Sequence, residues 1–226
     1  MAGGLGTRLR PAVPHMPKVL APVGGRPFLA YVLEFAFSRG VRRVVLATGH
    51  GHAAIEACLG TRFAGLSIAY SVEDRPLGTG GAIRQALAYV GEDHVLVLNG
   101  DTFFRVELGA LMADHQRYAP AVTVAIKRVQ SAGRFGRVLT QRGRLVGFVE
   151  KGSDDPGWIN GGVYALRADV LLDPGLPAAF SFEQHLLERE FRRLSIRTFP
   201  CRGFFLDIGT PADYDRAEAL KAKLAP

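Results

Sequence analysis

Gly3, Gly4 and Gly6, followed by Thr7-Arg8-Leu9 and then by Pro17-Lys18, set an anion cradle beside two cations. Successive glycine N–H groups can turn toward one concavity, and no Cβ keeps a phosphate away from the main chain. Arg8 offers a planar fork to phosphate oxygens and Lys18 a compact point charge. That pairing suits a triphosphate whose pyrophosphate must be stabilised as it leaves. Glycines near an arginine also occur in turns that bind nothing, so the weight lies on the complete string. Two aspartates add a second chemistry. Asp101 follows the apolar run 95–98 and Asn99-Gly100, and Asp207 ends the run 203–206. Each is therefore delivered from a strand end, where open α/β sheets place ligands. Sharing one Mg²⁺, which takes oxygen ligands and neutralises phosphate charge, is the functional use of such a pair. Accepting local N–H bonds in a turn is the ordinary one.

The elements that must position these residues follow from periodicity. Pro27 opens a helix to about Arg39 with Phe28, Val32, Phe35 and Ala36 on one face, and Gly40 closes it. Strands are expected at 44–47, 66–71 and 95–98, with a short helix after His52 and another over 80–90. This alternation argues for a parallel sheet covered by helices. From Ala121 the pattern changes to short β-branched runs at 122–129, 137–140, 145–150 and 162–166, separated by Gly- and Asp-rich turns that suggest hairpins on the same sheet. A helix over 182–193 and strands at 196–199 and 204–207 follow. A last helix has Thr210 as N-cap and Pro211 in its first position.

At 226 residues and net charge +7 the chain suits one globular domain. Its basic residues are scattered and lack interleaved aromatics, so no nucleic-acid surface is expected and the excess reads as solvated surface that attracts anionic substrates. No apolar run approaches the ~20 residues of a membrane span and no charged leader precedes the glycines. The expected compartment is the cytoplasm, with no membrane partner. Cys58 and Cys201 are read as a reduced pair, and His50-Gly51-His52 as a connecting turn.

The opening Gly-Gly-x-Gly-Thr-Arg-Leu and Pro-Lys are followed in order by Pro76 to Ala82, Asn99-Gly100-Asp101, Glu150-Lys151, Ile159 to Gly162 and Phe205 to Pro211. This series resembles the sugar-1-phosphate nucleotidyltransferases from residue 2 to about residue 216. The resemblance implies a single α/β domain over 1–226, a Rossmann-like mixed, mostly parallel sheet with helices on both faces. Residues 1–120 would mainly bind nucleotide and 121–226 mainly sugar phosphate. It further implies that Gly3, Gly4, Gly6 and Thr7 hold the triphosphate, that Gly78, Thr79 and Gly80 read the base from their backbone, and that Arg8, Lys18 and Asp101 are catalytic. Asp101 and Asp207 would bind Mg²⁺. Glu150 would contact sugar hydroxyls and Lys151 the sugar phosphate, with Gly136, Asn160 and Gly161 beside the sugar. Glu73 can accept from N1–H and N2–H₂ of guanine together, which favours GTP. An exposed acidic pair with Asp74 is the other reading of that residue.

Within the family, the short length, 99–104, 159–164 and 180–183 resemble D-glycero-D-manno-heptose 1-phosphate guanylyltransferases, implying GTP and a heptose 1-phosphate as partners. Mannose 1-phosphate with GTP, or another hexose 1-phosphate with UTP or dTTP, keeps the reaction and changes the substrate. A sugar-nucleotide-binding regulatory protein is the non-enzyme alternative, and a homo-oligomer is left open. One departure stands out: relatives carry an apolar strand before the glycines, whereas only Met1 and Ala2 precede them here. The expectation is that the natural protein starts upstream, and that the strands at 44–47 and 95–98 either stand a strand's width apart or close together and displace 3–8.

Overall fold

The computed structural model describes every residue except 5, 10, 15, 150–154 and 226. In chain order the strands are β1 Pro22–Val23, β2 Arg26–Pro27, β3 Arg43–Thr48, β4 Arg62–Phe63, β5 Leu66–Val72, β6 His94–Leu98, β7 Thr102–Phe104, β8 Val122–Val129, β9 Arg137–Gln141, β10 Arg144–Val149, β11 Gly157–Arg167, β12 Ile196–Cys201 and β13 Phe205–Asp207. The α-helices are α1 Phe28–Ser38, α2 His52–Leu59, α3 Gly78–Ala86, α4 Leu108–Tyr118 and α5 Pro211–Ala219, and a π-helical turn spans Phe182–Arg189. No described helix is long and apolar enough to cross a membrane.

Local chemistry accounts for much of this. In α1 the residues Phe28 to Leu33, Phe35 and Ala36 are all buried, so packing on two sides holds a helix that has no side-chain cap. Thr210 accepts from Asp213 N–H, with Pro211 at the first position, and so starts α5 as expected. Between β9 and β10, Arg142 and Gly143 both have positive φ, the backbone that closes a two-residue hairpin. Helix α4 is an element the sequence pattern did not suggest. Its buried set is only Leu108, Leu111 and His115, a narrow stripe in a polar segment.

The six-stranded sheet runs β6-β11-β8-β12-β10-β9, beside a three-stranded sheet β3-β5-β4 and the pair β7-β13. The mixed α/β architecture stands, but the expectation of a mostly parallel sheet is corrected. Parallel pairing joins β3 to β5 and β8 to β12, while β6–β11, β8–β11, β10–β12 and β9–β10 are antiparallel. In the six-stranded sheet only β9 and β10 are joined by a short turn, which requires an antiparallel partner. Its other antiparallel pairs join strands far apart in the chain, whose relative direction the local pattern does not fix.

Strands β3 and β6 do not pair with each other. At their carboxyl ends Met1 and Ala2 lie between them. The Met1 amino group donates to Leu98 O at 2.7 Å, Gly100 N–H donates to Met1 O at 2.8 Å, and Ala2 N–H donates to Ala47 O at 2.8 Å. These are rungs of a ladder, so the two strands stand about one strand's width apart there. The gap holds a cavity of about 650 Å³ lined by Met1, Leu29, Val32, Leu46, Ile83 and Val97, among others.

Candidate nucleotide and sugar-phosphate site

The glycine turn is shaped by what lies beneath it. Gly6 has φ +59°, and a Cβ there would come within 2.9 Å of Lys18 Cβ. A Cβ on Gly3 would come within 2.8 Å of Glu73 Oε1. Leu9 is buried and its N–H donates to Gly6 O at 3.0 Å, which pins the turn to the core. Gly4, Thr7 and Arg8 face outward. Lys18 opens a 3₁₀ turn whose Val19 is buried, and its Nζ lies 2.6 Å from Asp101 Oδ2.

The two aspartates, far apart in sequence, are brought together by strand pairing. β7 and β13 are antiparallel with Thr102 opposite Asp207, and Ile208 N–H donates to Asp101 O at 3.1 Å. Thr102 Oγ1 lies 3.4 Å from Asp101 Oδ1 and 3.2 Å from Asp207 Oδ2, so one hydroxyl stands beside both carboxylates. Burial raises the Asp207 pKa from its ordinary value. The Asp101 charge adds to this, while Lys18, the Gly209 N–H and Arg134 oppose it. A half-buried pair of hard oxygen donors that repel one another fits a divalent cation such as Mg²⁺, which keeps waters and needs few protein ligands. Among the described residues no third His, Cys, Asp or Glu completes a metal cluster.

Glu73 and α3 form another wall. Glu73 Oε2 accepts from Leu77 N–H at 2.9 Å, so half of the carboxylate caps the start of α3 and Oε1 faces Gly3. The amides of this helix start are less bare than the glycines suggested. Gly80 N–H donates to Phe180 O at 2.9 Å, and a Cβ on Gly78 would come within 2.5 Å of the same oxygen. Thr79 Oγ1 donates to Glu183 Oε2 at 2.7 Å and accepts from Phe182 N–H at 2.8 Å. Gly78, Thr79 and Gly80 thus bind segment 180–183.

On the acceptor side, Glu150 and Lys151 lie outside the described residues. Gly136 ends the turn 132–136 with φ +76° and leads into β9. The pairing of β11 with β8 shifts register between Asn160 and Tyr164, a bulge of the kind that re-aims side chains beside sites. Within it Asn160 Nδ2 donates to Tyr164 Oη at 2.8 Å and Asn160 Oδ1 accepts from Gly162 N–H at 3.0 Å. Asn160 keeps one amide hydrogen and one lone pair for a ligand. A Cβ on Gly161 would come within 2.4 Å of the Phe104 ring, so close packing on that side already requires a glycine.

The residues not singled out from sequence are Thr102, Arg134, Tyr164 and Glu183. Tyr164 is fully buried, and its pKa is raised well above the ordinary value by desolvation first and by the Glu183 charge second. Its hydroxyl lies 3.4 Å from Glu183 Oε1, linking Asn160 to Thr79 through one carboxylate. Only the three-dimensional meeting of β11, α3 and the π-helical turn creates that link.

A family model described as Nucleotidyl transferase matches residues 1–223. The chain is 41% identical over 218 residues to a D-glycero-alpha-D-manno-heptose 1-phosphate guanylyltransferase of Aneurinibacillus thermoaerophilus, covering 96% of this chain and 95% of the relative. It is 34% identical to a mannose-1-phosphate guanylyltransferase of Mycobacterium tuberculosis, covering all of this chain and 65% of that protein. A crystal structure of HddC from Yersinia pseudotuberculosis complexed with GMP-PN superposes with a TM-score of 0.86 at 29% identity, covering 96% of each chain.

Proposed function

We propose, because this chain belongs to the nucleotidyl transferase family, that it joins D-glycero-D-manno-heptose 1-phosphate to GTP and releases pyrophosphate and GDP-heptose. The observation that carries the reaction is the cluster of Lys18, Asp101 and Asp207, with Lys18 Cβ lying close against Gly6. The likeness to a heptose 1-phosphate guanylyltransferase along 95% of its length supports the choice of substrates. Use of GTP as a substrate supports a cytoplasmic location.

In this reaction an oxygen of the sugar phosphate attacks the α-phosphorus of GTP. A new P–O bond forms as the bond to the bridging oxygen breaks, and the electron pair leaves on pyrophosphate. The attacking oxygen is already anionic, so no general base is required. Catalysis is then mainly alignment and charge neutralisation. The backbone of Gly3, Gly4, Gly6 and Thr7 would hold the triphosphate, Arg8 and Lys18 would meet the leaving side, and Lys151 the attacking phosphate. Asp101 and Asp207 would hold Mg²⁺, which when bound supplies positive charge to phosphate oxygens. Gly136, Glu150, Asn160 and Gly161 would line the sugar.

Pyrophosphate release across a panel of sugar 1-phosphates and nucleoside triphosphates tests this reading, with heptose 1-phosphate and GTP expected to give the highest kcat/KM. Higher turnover of mannose 1-phosphate would move the assignment to that sugar. Binding of sugar nucleotide without turnover of any pair would favour a regulatory protein.

Base choice is assigned to Glu73 Oε1. In Glu73→Gln the amide oxygen can keep the Leu77 N–H bond while the NH₂ group faces the guanine donors. The preference for GTP over UTP should fall by a factor corresponding to roughly 1–3 kcal/mol, with little change in melting temperature. An unchanged nucleotide preference would remove Glu73 from base recognition.

A further inference from the structure

Asp207 is held from one side by a group that nothing above assigns to the reaction. Arg134 lies in the turn 132–136 between β8 and β9, and its Nη2 lies 3.1 Å from Asp207 Oδ1. The same oxygen accepts from Gly209 N–H at 2.9 Å. Asp207 Oδ1 is therefore occupied by two donors, while Oδ2 is left on the side of Thr102 and Asp101. The other arm of the fork, Nη1, pairs with Asp213 in the first turn of α5, a carboxylate that also accepts from Thr210 Oγ1. The guanidinium lies 4.1 Å from the Phe135 ring centroid, and that ring packs edge-on against Phe205 of β13. Two carboxylates set by two different elements, with an aromatic face beneath, suit the planar fork of arginine and not the single point of a lysine.

We propose that Arg134 is a positioning residue: together with the Gly209 N–H it holds Asp207 Oδ1 so that Oδ2 faces Asp101, and it couples this carboxylate to the acceptor-side turn that ends at Gly136. The inference rests on the functional reading above in taking Asp101 and Asp207 as the cation-binding pair. Lys18 holds Asp101 from the nucleotide side, so the two carboxylates are bracketed by one cation from each half of the chain. Outer partners that orient a ligating carboxylate commonly change metal affinity by one to two orders of magnitude.

The test uses Mn²⁺ alone, titrated into the full chain and followed by electron paramagnetic resonance, alongside KM values for both substrates. Arg134→Gln is expected to weaken Mn²⁺ binding roughly tenfold or more and to raise KM for the sugar 1-phosphate more than KM for GTP. Arg134→Lys should recover part of the Mn²⁺ affinity, because an ammonium can meet Asp207 or Asp213 but not span both. Unchanged Mn²⁺ affinity in Arg134→Gln, with only a lower melting temperature, would make Arg134 a structural tie and overturn the proposal. Wild-type Mn²⁺ affinity in Asp207→Asn would overturn it as well. If Arg134→Gln weakens Mn²⁺ binding as stated but the wild type turns over no sugar 1-phosphate, the positioning role stands and the functional reading falls.

Discussion

Asp101→Asn is expected to lower kcat roughly 10²- to 10³-fold, the usual loss when one preorganised electrostatic group is removed from a transition state that develops charge. Asparagine keeps the shape and one acceptor oxygen, so Lys18 retains a hydrogen bond but loses its counter-charge at 2.6 Å. The fold should survive. Asp101 is partly exposed, and partly exposed ion pairs contribute little, so the melting temperature should fall by only a few degrees. Turnover by pyrophosphate release and melting by circular dichroism separate the two effects. A variant within tenfold of wild-type kcat would remove Asp101 from the catalytic set, and one that fails to fold would make its role structural.

A version of the chain carrying five apolar β-branched residues ahead of Met1 is expected to melt roughly 10 °C higher. The cavity between β3 and β6 is lined by apolar side chains of α1 on one side and α3 on the other. The bonds of Met1 to Leu98 and Gly100 define a parallel register that an added strand would continue. Fully burying each Val or Ile side chain gains roughly 1.5–3 kcal/mol, and fixing each residue's backbone costs about 1–2 kcal/mol. About one kcal/mol per residue remains, and in a domain of this size each shifts the melting temperature by about 2–4 °C. The same extension with proline at alternate positions cannot donate to the ladder and should give no gain. A pH signature accompanies the effect. Burial lowers the Met1 amino pKa from 8.0 to about 6, with the Asp101 charge opposing the shift. The folded chain resists a proton that the unfolded chain accepts near pH 8. The unextended protein should therefore lose stability as pH falls from about 8 to 6, with no further loss from this group below that. In the extended chain a peptide N–H replaces the ammonium and the slope should vanish. An extended chain that melts no higher than the unextended one would show that the cavity does not accept a strand.

Legibility varied with how local the determining interactions are. The start of α5 was readable because Thr210, Pro211 and Asp213 settle it among themselves. Strand β8 was readable because β-branched residues cluster over 122–129, and its first five residues are buried. Helix α4 was not, since its narrow apolar stripe becomes informative only once β8 and β11 are there to cover it. The balance of parallel and antiparallel pairing was also out of reach, because local pattern does not say which strand becomes a neighbour.

The same division runs through the site. Residue types and spacing alone pointed to a glycine turn beside Arg8 and Lys18 and to the delivery of Asp101 and Asp207 from strand ends, whereas the ion pair of Lys18 with Asp101 came only with the fold. Those signals are local, carried by glycine's missing Cβ, by charge, and by an aspartate directly after an apolar run. Tertiary structure alone decided that Thr102 stands beside both carboxylates, that Arg134 spans Asp207 and Asp213, and that half of Glu73 caps Leu77. It also decided that Gly80 and Gly161 face packed groups instead of open space. Each of these contacts joins segments brought together by chain crossing. A hydrogen bond between residues 73 positions apart, as for Arg134 and Asp207, leaves no trace in the pattern around either one.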